Sequence, residues 1–529
     1  MTSKMEIKPD TLKFESLLSE FKEQKIRIPE FQRDFVWDKN RIRKLLNSIY
    51  NQYPIGSYVL WESTDKIKCV ERVGNYEFEN SPPEGHPIKY VIDGQQRILS
   101  IIAAIKGATI ADKEYNFYFD LDKCTFLEEK EIEIKERSVP LQRIFLNSAE
   151  YSNLIDEYDR KYRELLNDLY LRFHSYPFSI IYVKNENSLK NICNVFHMLN
   201  TTGKKLSPVA LVISKAWSES FDLRQKFNEM HEKFEEFGEI PEYRILQLAA
   251  VLFYEKKCKK DIIINYLEIS KLRENWYNLI KSLEFALDFL TNKLKVKHIK
   301  YIPFDIIIVP LAYFYYNNKK GENSIQKEQF EKWFWMAGLS RRYDSAVEGR
   351  VEKDLVEFDK ILNGDKAEFN YQIGWDELKK SIRNEKLSFG SAFSKTILSL
   401  YSYNNPLGLK DGESVQFRSY SFLNRKNLHH VFPKNHIKKH IPDLKEYTNK
   451  VVNFCFLPAD QNIEASDDPP KKYMEEFSKA NKKFEEALNS HFIKDLKEFG
   501  IDDDDFEKFL EKRSEIIKKE FEKLIKKEN

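Results

Sequence analysis

From Lys25 to about Val183, short β-rich runs alternate with stretches whose apolar residues recur every three or four positions, the pattern of an α/β or α+β unit. Lys25-Ile26-Arg27-Ile28 reads as a strand. After Asp38, an N-cap residue, Ile42, Leu45, Leu46 and Ile49 fall on one helical face. Pro54 and Gly56 close that helix before the apolar run Tyr58-Val59-Leu60-Trp61. A second strand-to-helix step follows. Tyr90-Val91-Ile92 leads into Asp93-Gly94-Gln95-Gln96-Arg97, and Ile98, Ile101, Ile102 and Ile105 predict a helix stopped by Gly107. Pro177 to Val183 reads as a further strand and Ser188 to Leu199 as a helix. The polar turn Asn200-Thr201-Thr202-Gly203 then precedes Ser207-Pro208, which opens the next helix.

Beyond that point the period is helical to about Leu400, rich in aromatics and poor in turn signals. The patch from Ser402 to Ser421, with Asn404, Asn405, Pro406, Gly408 and Gly412, marks a boundary. A compact segment with two adjacent histidines and several asparagines follows, and from Lys471 a highly charged helical pattern whose polar faces read as solvated. The expected organisation is therefore an α+β multidomain chain: an α/β domain over residues 1–217, a helical middle region over 218–400, and a small domain with a helical tail over 401–529. A chain of 529 residues is long enough for two or three domains.

Composition narrows the classes. With 42% hydrophobic and 32% charged residues the chain is too apolar for a disordered protein. Lys+Arg 86 against Asp+Glu 84 leaves a net charge of +2, so any nucleic-acid surface must be local. The 5 cysteines (Cys69, Cys124, Cys193, Cys258, Cys455) form no CxxC pair and fit reduced thiols. The segment MTSKMEIKPD lacks the apolar core of a signal peptide, and the runs Leu246 to Tyr254 and Ile306 to Tyr316 are too short to span a bilayer. A cytoplasmic protein without a membrane partner is expected.

Two constellations carry chemistry. At Asp93-Gly94-Gln95-Gln96-Arg97 a glycine turn runs straight into a helix, so backbone N–H groups and the helix dipole converge on one spot, which suits a phosphate. Arg97 and Arg33 could add charge-assisted contacts, and Asp93 could hold a magnesium ion. A DGQQR turn standing alone is more often a capped surface turn. The second constellation is Leu428-His429-His430-Val431-Phe432-Pro433, two imidazoles side by side on a predicted strand, followed by Val452-Asn453-Phe454 and Asn462. Phosphodiester cleavage requires an activated water and a cation, and imidazoles with carboxamides can serve both. An isolated HH pair is more often structural.

Taken in order, IPEFQRDFVWDKNRIRKLLNSIYNQYPIGSYVLWE and YVIDGQQRILSI resemble the N-terminal domain of GmrSD-type modification-dependent (type IV) restriction endonucleases, itself similar to the ParB/sulfiredoxin-like fold. The resemblance spans Lys25 to about Trp217. It implies that Gln32, Arg33, Asp93, Gly94, Gln95, Gln96 and Arg97 bind and hydrolyse a nucleoside triphosphate, with Asn200, Thr201 and Gly203 as lesser candidates. LHHVFP, VVNFCFLPADQN, Pro469-Pro470 and Tyr473 resemble the C-terminal ββα-metal (HNH) nuclease domain of the same family. That resemblance implies His430 as general base, Asn453 as the residue that orients it, and His429 and Asn462 as ligands of a divalent metal, magnesium or manganese. His429 stands where many members carry an acidic residue, a departure that bears on metal preference.

The resemblance further implies an endonuclease of antiviral defence that restricts modified phage DNA. Three rivals stay open: a DNA-binding module with a degenerate nuclease site, an NTPase that senses phosphorothioate or another mark, and an RNA-cutting toxin. A homo-oligomer is compatible with the sequence, which carries no readable code for it. Lys434, Lys438 and Lys439 beside His436 and His440 suit phosphate contact or a solvated face equally. Arg341, Arg342 and Arg350 with Tyr343 suit a DNA grip or helix pairs with nearby acids. Trp37, Trp61, Phe31 and Phe35 are expected in the core.

Overall fold

A computed structural model describes the chain except residues 1–5, 31–34, 36, 65–68, 79–85, 111, 146–147, 185–207, 218–220, 319–320, 416–427 and 527–529. The chain divides into two compact units, Met1–Phe221 and Asp222–Asn529.

The first unit is built on a mixed sheet. Its labelled elements are β1 (Glu6–Lys13), α1 (Phe14–Lys22), β2 (Ile26–Arg27), α2 (Lys39–Tyr50), β3 (Tyr58–Ser63), β4 (Ile88–Asp93), α3 (Gln95–Lys106), α4 (Arg160–His174) and β5 (Pro177–Lys184). The strand order is β1-β5-β3-β4-β2. β5 runs parallel to β3, with Ile180 opposite Tyr58, while β3 and β4 are antiparallel with a register shift between Val59 and Leu60. Tyr58, Val59, Leu60 and Trp61 are buried in succession, as a central strand covered on both faces demands. In α2 the Asp38 carboxylate accepts from the Arg41 N–H at 2.8 Å, and Ile42, Leu45, Leu46 and Ile49 turn into the core. Gly107, at φ +60, closes α3 where the repeat predicted its end. A small sheet of Phe117–Asp120, Thr125–Glu128 and Ser138–Pro140 packs its Phe117, Phe119 and Phe126 into the same core. Trp61 is a core residue, and Phe35 and Trp37 pack against the core; the helix and polar turn expected over 188–203, and Phe31, lie outside the described residues.

The second unit is helical. Its principal helices are α5 (Ile269–Asp288), α6 (Ile308–Asn317), α7 (Ser324–Leu339), α8 (Val347–Asn363) and α9 (Ala392–Tyr403). Every residue of α6 from Ile308 to Tyr315 is buried, which makes it the central helix, flanked by α5 and α8. Phe330 stacks on Phe358 at 5.3 Å, with Trp333 edge-on at 4.9 Å. Then come the hairpin strands β6 (Leu428–His430) and β7 (Phe454–Phe456), followed by α10 (Ala459–Ala465), α11 (Pro470–Ala480) and α12 (Phe506–Ile525). The charged tail helix α12 is amphipathic: it buries Phe509, Leu510, Arg513, Ile517 and Phe521, and Phe521 meets Trp335 of α7 at 5.8 Å. Residues read as a middle region and those after 400 thus share one unit. Among the described residues no helix is long and apolar enough to cross a membrane, and Cys69, Cys124, Cys258 and Cys455 form no disulfide.

Candidate functional site

The hairpin is short, only three paired residues on each strand, with His429 opposite Cys455 and His430 opposite Phe454. Alternation sends the two imidazoles to opposite sides. Asn453 locks the turn that follows: its Oδ1 accepts from the Phe432 N–H at 2.9 Å, and its Nδ2 donates to the carbonyls of Phe432 and Thr448 at 3.0 Å each. Fully buried, this carboxamide holds the backbone just after His430, and its hydrogen bonds do not include the His430 ring. The ring is held instead by Asn449, whose Oδ1 lies 3.2 Å from Nε2. An amide oxygen can only accept, so the proton belongs on Nε2, and among the described residues Nδ1 has no hydrogen-bond partner. Burial, reinforced by the charge of Lys434, pushes the His430 pKa below 6.5 against the opposing pull of Asn449. The ring is therefore neutral near pH 7.

His429 faces the interior, 2% exposed. Its Nδ1 lies 2.8 Å from Asn462 Oδ1 and its Nε2 3.2 Å from the Tyr473 hydroxyl, which itself donates to the Val431 carbonyl at 2.7 Å. Burial lowers its pKa to about 4, so the ring carries one proton. The contact with Asn462 is the shorter of the two and an amide oxygen can only accept, so the ring proton belongs on Nδ1, donated to Asn462 Oδ1. Asn462 stands on α10, directly after the hairpin, so the order is strand, strand, helix.

Behind the hairpin lies Arg513, wholly buried, donating to the carbonyls of His491 and Val452 and stacked over Tyr401 at 4.8 Å. His491 is buried too, its Nε2 2.7 Å from the Leu407 carbonyl, and burial drives its pKa to about 3. Lys434, Lys438 and Lys439 are exposed. His436 is buried and bonded to both oxygens of Asp504 at 2.8 Å, with His440 stacked on it at 4.8 Å. Among the described residues no group of three or more His, Cys, Asp or Glu is arranged to hold a metal. Arg342 and Tyr343 converge on the buried carboxylate of Asp354, and Arg350 donates to the Arg342 carbonyl. That network holds the helical core.

In the first unit the DGQQR turn lies between β4 and α3. Gly94 takes φ +98, and a Cβ there would come within 2.4 Å of the Tyr58 ring, so only glycine fits. Gln95 and Gln96 are buried at the first turn of α3, whose N-terminus has no side-chain cap. Arg97 is occupied within the fold. Its guanidinium donates to the Ile55 carbonyl at 2.6 Å, the Ser57 carbonyl at 2.8 Å and Asp93 Oδ2 at 3.1 Å, and it lies 4.6 Å from the Tyr58 ring. Among the described residues the buried Tyr58 hydroxyl has no hydrogen-bond partner. Gln32, Arg33, Asn200, Thr201 and Gly203 lie outside the described residues.

Comparison with known proteins bears on this unit directly. Residues 14–217 match the family described as GmrSD restriction endonuclease, N-terminal domain. The match begins at α1 and takes in the whole DGQQR turn. The uncharacterized protein MJ0686 of Methanocaldococcus jannaschii is 24% identical over 602 aligned positions, which cover 98% of this chain and 100% of that relative. The N-terminal unit is thus similar to the N-terminal domain of GmrSD restriction endonucleases.

Sequence reading passed over Asn449, which could have been found as the carboxamide four residues before Asn453. It also missed the role of Tyr473, quoted only as part of a motif. Arg513 had no local signal at all, since it sits in a run of charged residues indistinguishable from a solvated helix face.

Proposed function

We propose that this chain is an HNH-type, divalent-metal-dependent DNA endonuclease of antiviral defence, regulated by a nucleoside triphosphate at the DGQQR turn. The observation that carries the reading is the neutral His430 ring with its proton fixed on Nε2 by Asn449 and its Nδ1 lone pair open. Such a nitrogen is a general base: it takes a proton from water as the hydroxide oxygen bonds to phosphorus and the opposite P–O bond breaks. Asn453 acts through the backbone, keeping β6 and the Phe432 turn in one geometry.

His429 and Asn462 would hold the divalent ion, His429 through Nδ1 once the proton it shares with Asn462 is released, and the ion would neutralise charge on the phosphate. In the first unit Gly94, Gln95 and Gln96 at the start of α3, with Asp93, Gln32 and Arg33, would hold the triphosphate, while Arg97 keeps the turn in shape. Regulation follows if the nucleotide binds one conformation of the protein better than another. Modified phage DNA is the proposed substrate.

The burial of His429 favours a second reading, a DNA-binding module with a degenerate site. One experiment separates them: incubate unmodified, hydroxymethylated, glucosylated and phosphorothioate DNA with the purified chain, with and without each NTP, magnesium, manganese or chelator. Cutting should depend on metal, Asn462→Ala should raise the metal midpoint about 10- to 100-fold, and His430→Ala should not cut. Binding without cutting under every condition selects the second reading; cutting that survives in His430→Ala removes the assignment of the base.

A further inference from the structure

The second unit contains a cavity of about 580 Å³, within the ~300–1,000 Å³ typical of small-molecule sites. Phe304 and Phe389 line it, together with His298, Asp305, Asp344 and Lys395. The two phenyl rings are half-buried, and each is set edge-on to a buried tyrosine, Phe304 to Tyr343 at 5.5 Å and Phe389 to Tyr301 at 5.7 Å. They are positioned aromatic surfaces.

The polar lining is specific. His298 Nδ1 accepts from the Lys300 N–H at 3.1 Å, so the neutral ring keeps its proton on Nε2 as a donor. Asp305 is fixed by Arg244, whose Nη2 donates to it at 2.8 Å, and the carboxylate has capacity for further donors. Lys395 is half-buried, and among the described residues its ammonium has no hydrogen-bond or ion-pair partner; burial lowers its pKa against the opposing pull of Asp305 and Asp344. Its N–H groups are donors available to a ligand.

Three carboxylates, Glu239, Asp305 and Asp344, repel a phosphate or any other free anion. Lys300 and Lys395 disfavour a simple cation. What suits the lining is a nearly neutral, flat ring with both donors and acceptors on its edge, stacked on phenyl faces, which describes a nucleobase. The cavity is also tied to the cutting hairpin. Leu387 N–H donates to the Asn449 carbonyl at 3.0 Å, and Val451 N–H donates to the Glu385 carbonyl at 2.8 Å. The segment that ends in Phe389 is therefore bonded to the residue that holds His430. Tyr301 adds a ring contact to Phe456 of β7 at 5.6 Å.

We infer that this cavity receives one nucleobase turned out of a DNA strand, so that the base and its substituents are read beside the site that cuts. The inference rests on the nuclease reading above. An occupied cavity fixes the Glu385–Phe389 segment and with it Asn449, which couples recognition to the orientation of the base.

The test uses the full chain without metal, so that nothing is cut, and short duplexes with 2-aminopurine beside either cytosine or 5-hydroxymethylcytosine. Removal of the neighbouring base from the stack raises 2-aminopurine fluorescence. A severalfold rise is expected at saturating protein with at least one duplex. Phe389→Ala and Lys395→Gln should return it to the level of free DNA at protein concentrations that saturate the duplex by anisotropy, with melting curves showing both variants folded at the assay temperature. His430→Ala should keep the rise. No rise with either duplex while both are bound, or a rise unchanged in both pocket variants, overturns the inference. Metal-dependent cutting without any rise leaves the nuclease standing and removes the pocket; a rise that only the pocket variants abolish, in a chain that never cuts, supports the pocket and removes the nuclease. Failure to bind either duplex removes both.

Discussion

At the DGQQR turn the fold uses up the charged side chain, whereas at the hairpin it leaves a ring nitrogen open. Arg97 spends its guanidinium on two carbonyls, a carboxylate and an aromatic face, all within the first unit. His430 bonds through Nε2 alone among the described residues, and burial keeps it neutral. Both lie in short motifs that chance could produce. The difference teaches that a residue's place in a motif does not reveal whether its reactive atoms face a ligand or the protein. Arg97 shapes the turn, and His430 keeps a nitrogen that none of the described residues binds.

The largest expected effect separates the two sites by readout. His430→Ala should lower metal-dependent cutting by about 10²- to 10⁴-fold with the melting temperature nearly unchanged. Loss of folding instead of loss of rate would put His430 in the same structural class as Arg97.

Acid should weaken the second unit through the imidazoles that face inward. His429 and His491 are neutral in the folded chain, with pKa values near 4 and 3, and take up protons at the ordinary 6.5 once unfolded. Their contribution is complete above pH 6.5 and is lost as pH falls toward those lower values. At pH 5 each costs about 2 kcal/mol, about 4 kcal/mol together. Denaturant titrations between pH 7.5 and 5 check this; a stability independent of pH over that range contradicts the burial of both rings.

Asn453→Ala strips partners from the Phe432 N–H and from two buried carbonyls, and should destabilise the second unit by about 3 kcal/mol. Cutting per folded molecule should fall as well, because the turn after His430 loses its brace. The smallest effect is expected at the other site. Arg97→Ala should lower the stability of the first unit by about 2 kcal/mol, since the Ile55 and Ser57 carbonyls sit at its partly open edge. Any loss of nucleotide affinity should track that melting shift. Weakened nucleotide binding with an unchanged melting temperature would return Arg97 to direct phosphate contact and erase the contrast drawn here.

The chain by itself determined its local grammar. Asp38 and Gly107 mark helix ends, and the apolar runs at Tyr58 to Trp61 and Tyr90 to Ile92 mark central strands. These signals act between neighbours in sequence, where caps and periodicity are decided. Tertiary structure alone decided which atoms remain available. The contact of His429 with Asn462 spans 33 residues, that of Arg97 with Ile55 spans 42, and Arg513 reaches Val452 across 61. Hydrogen bonds of that range depend on how whole elements pack. The pairing of Asn449 with His430, the burial that sets the imidazole pKa values, and the cavity between Phe304 and Phe389 exist only once the helices have closed around them.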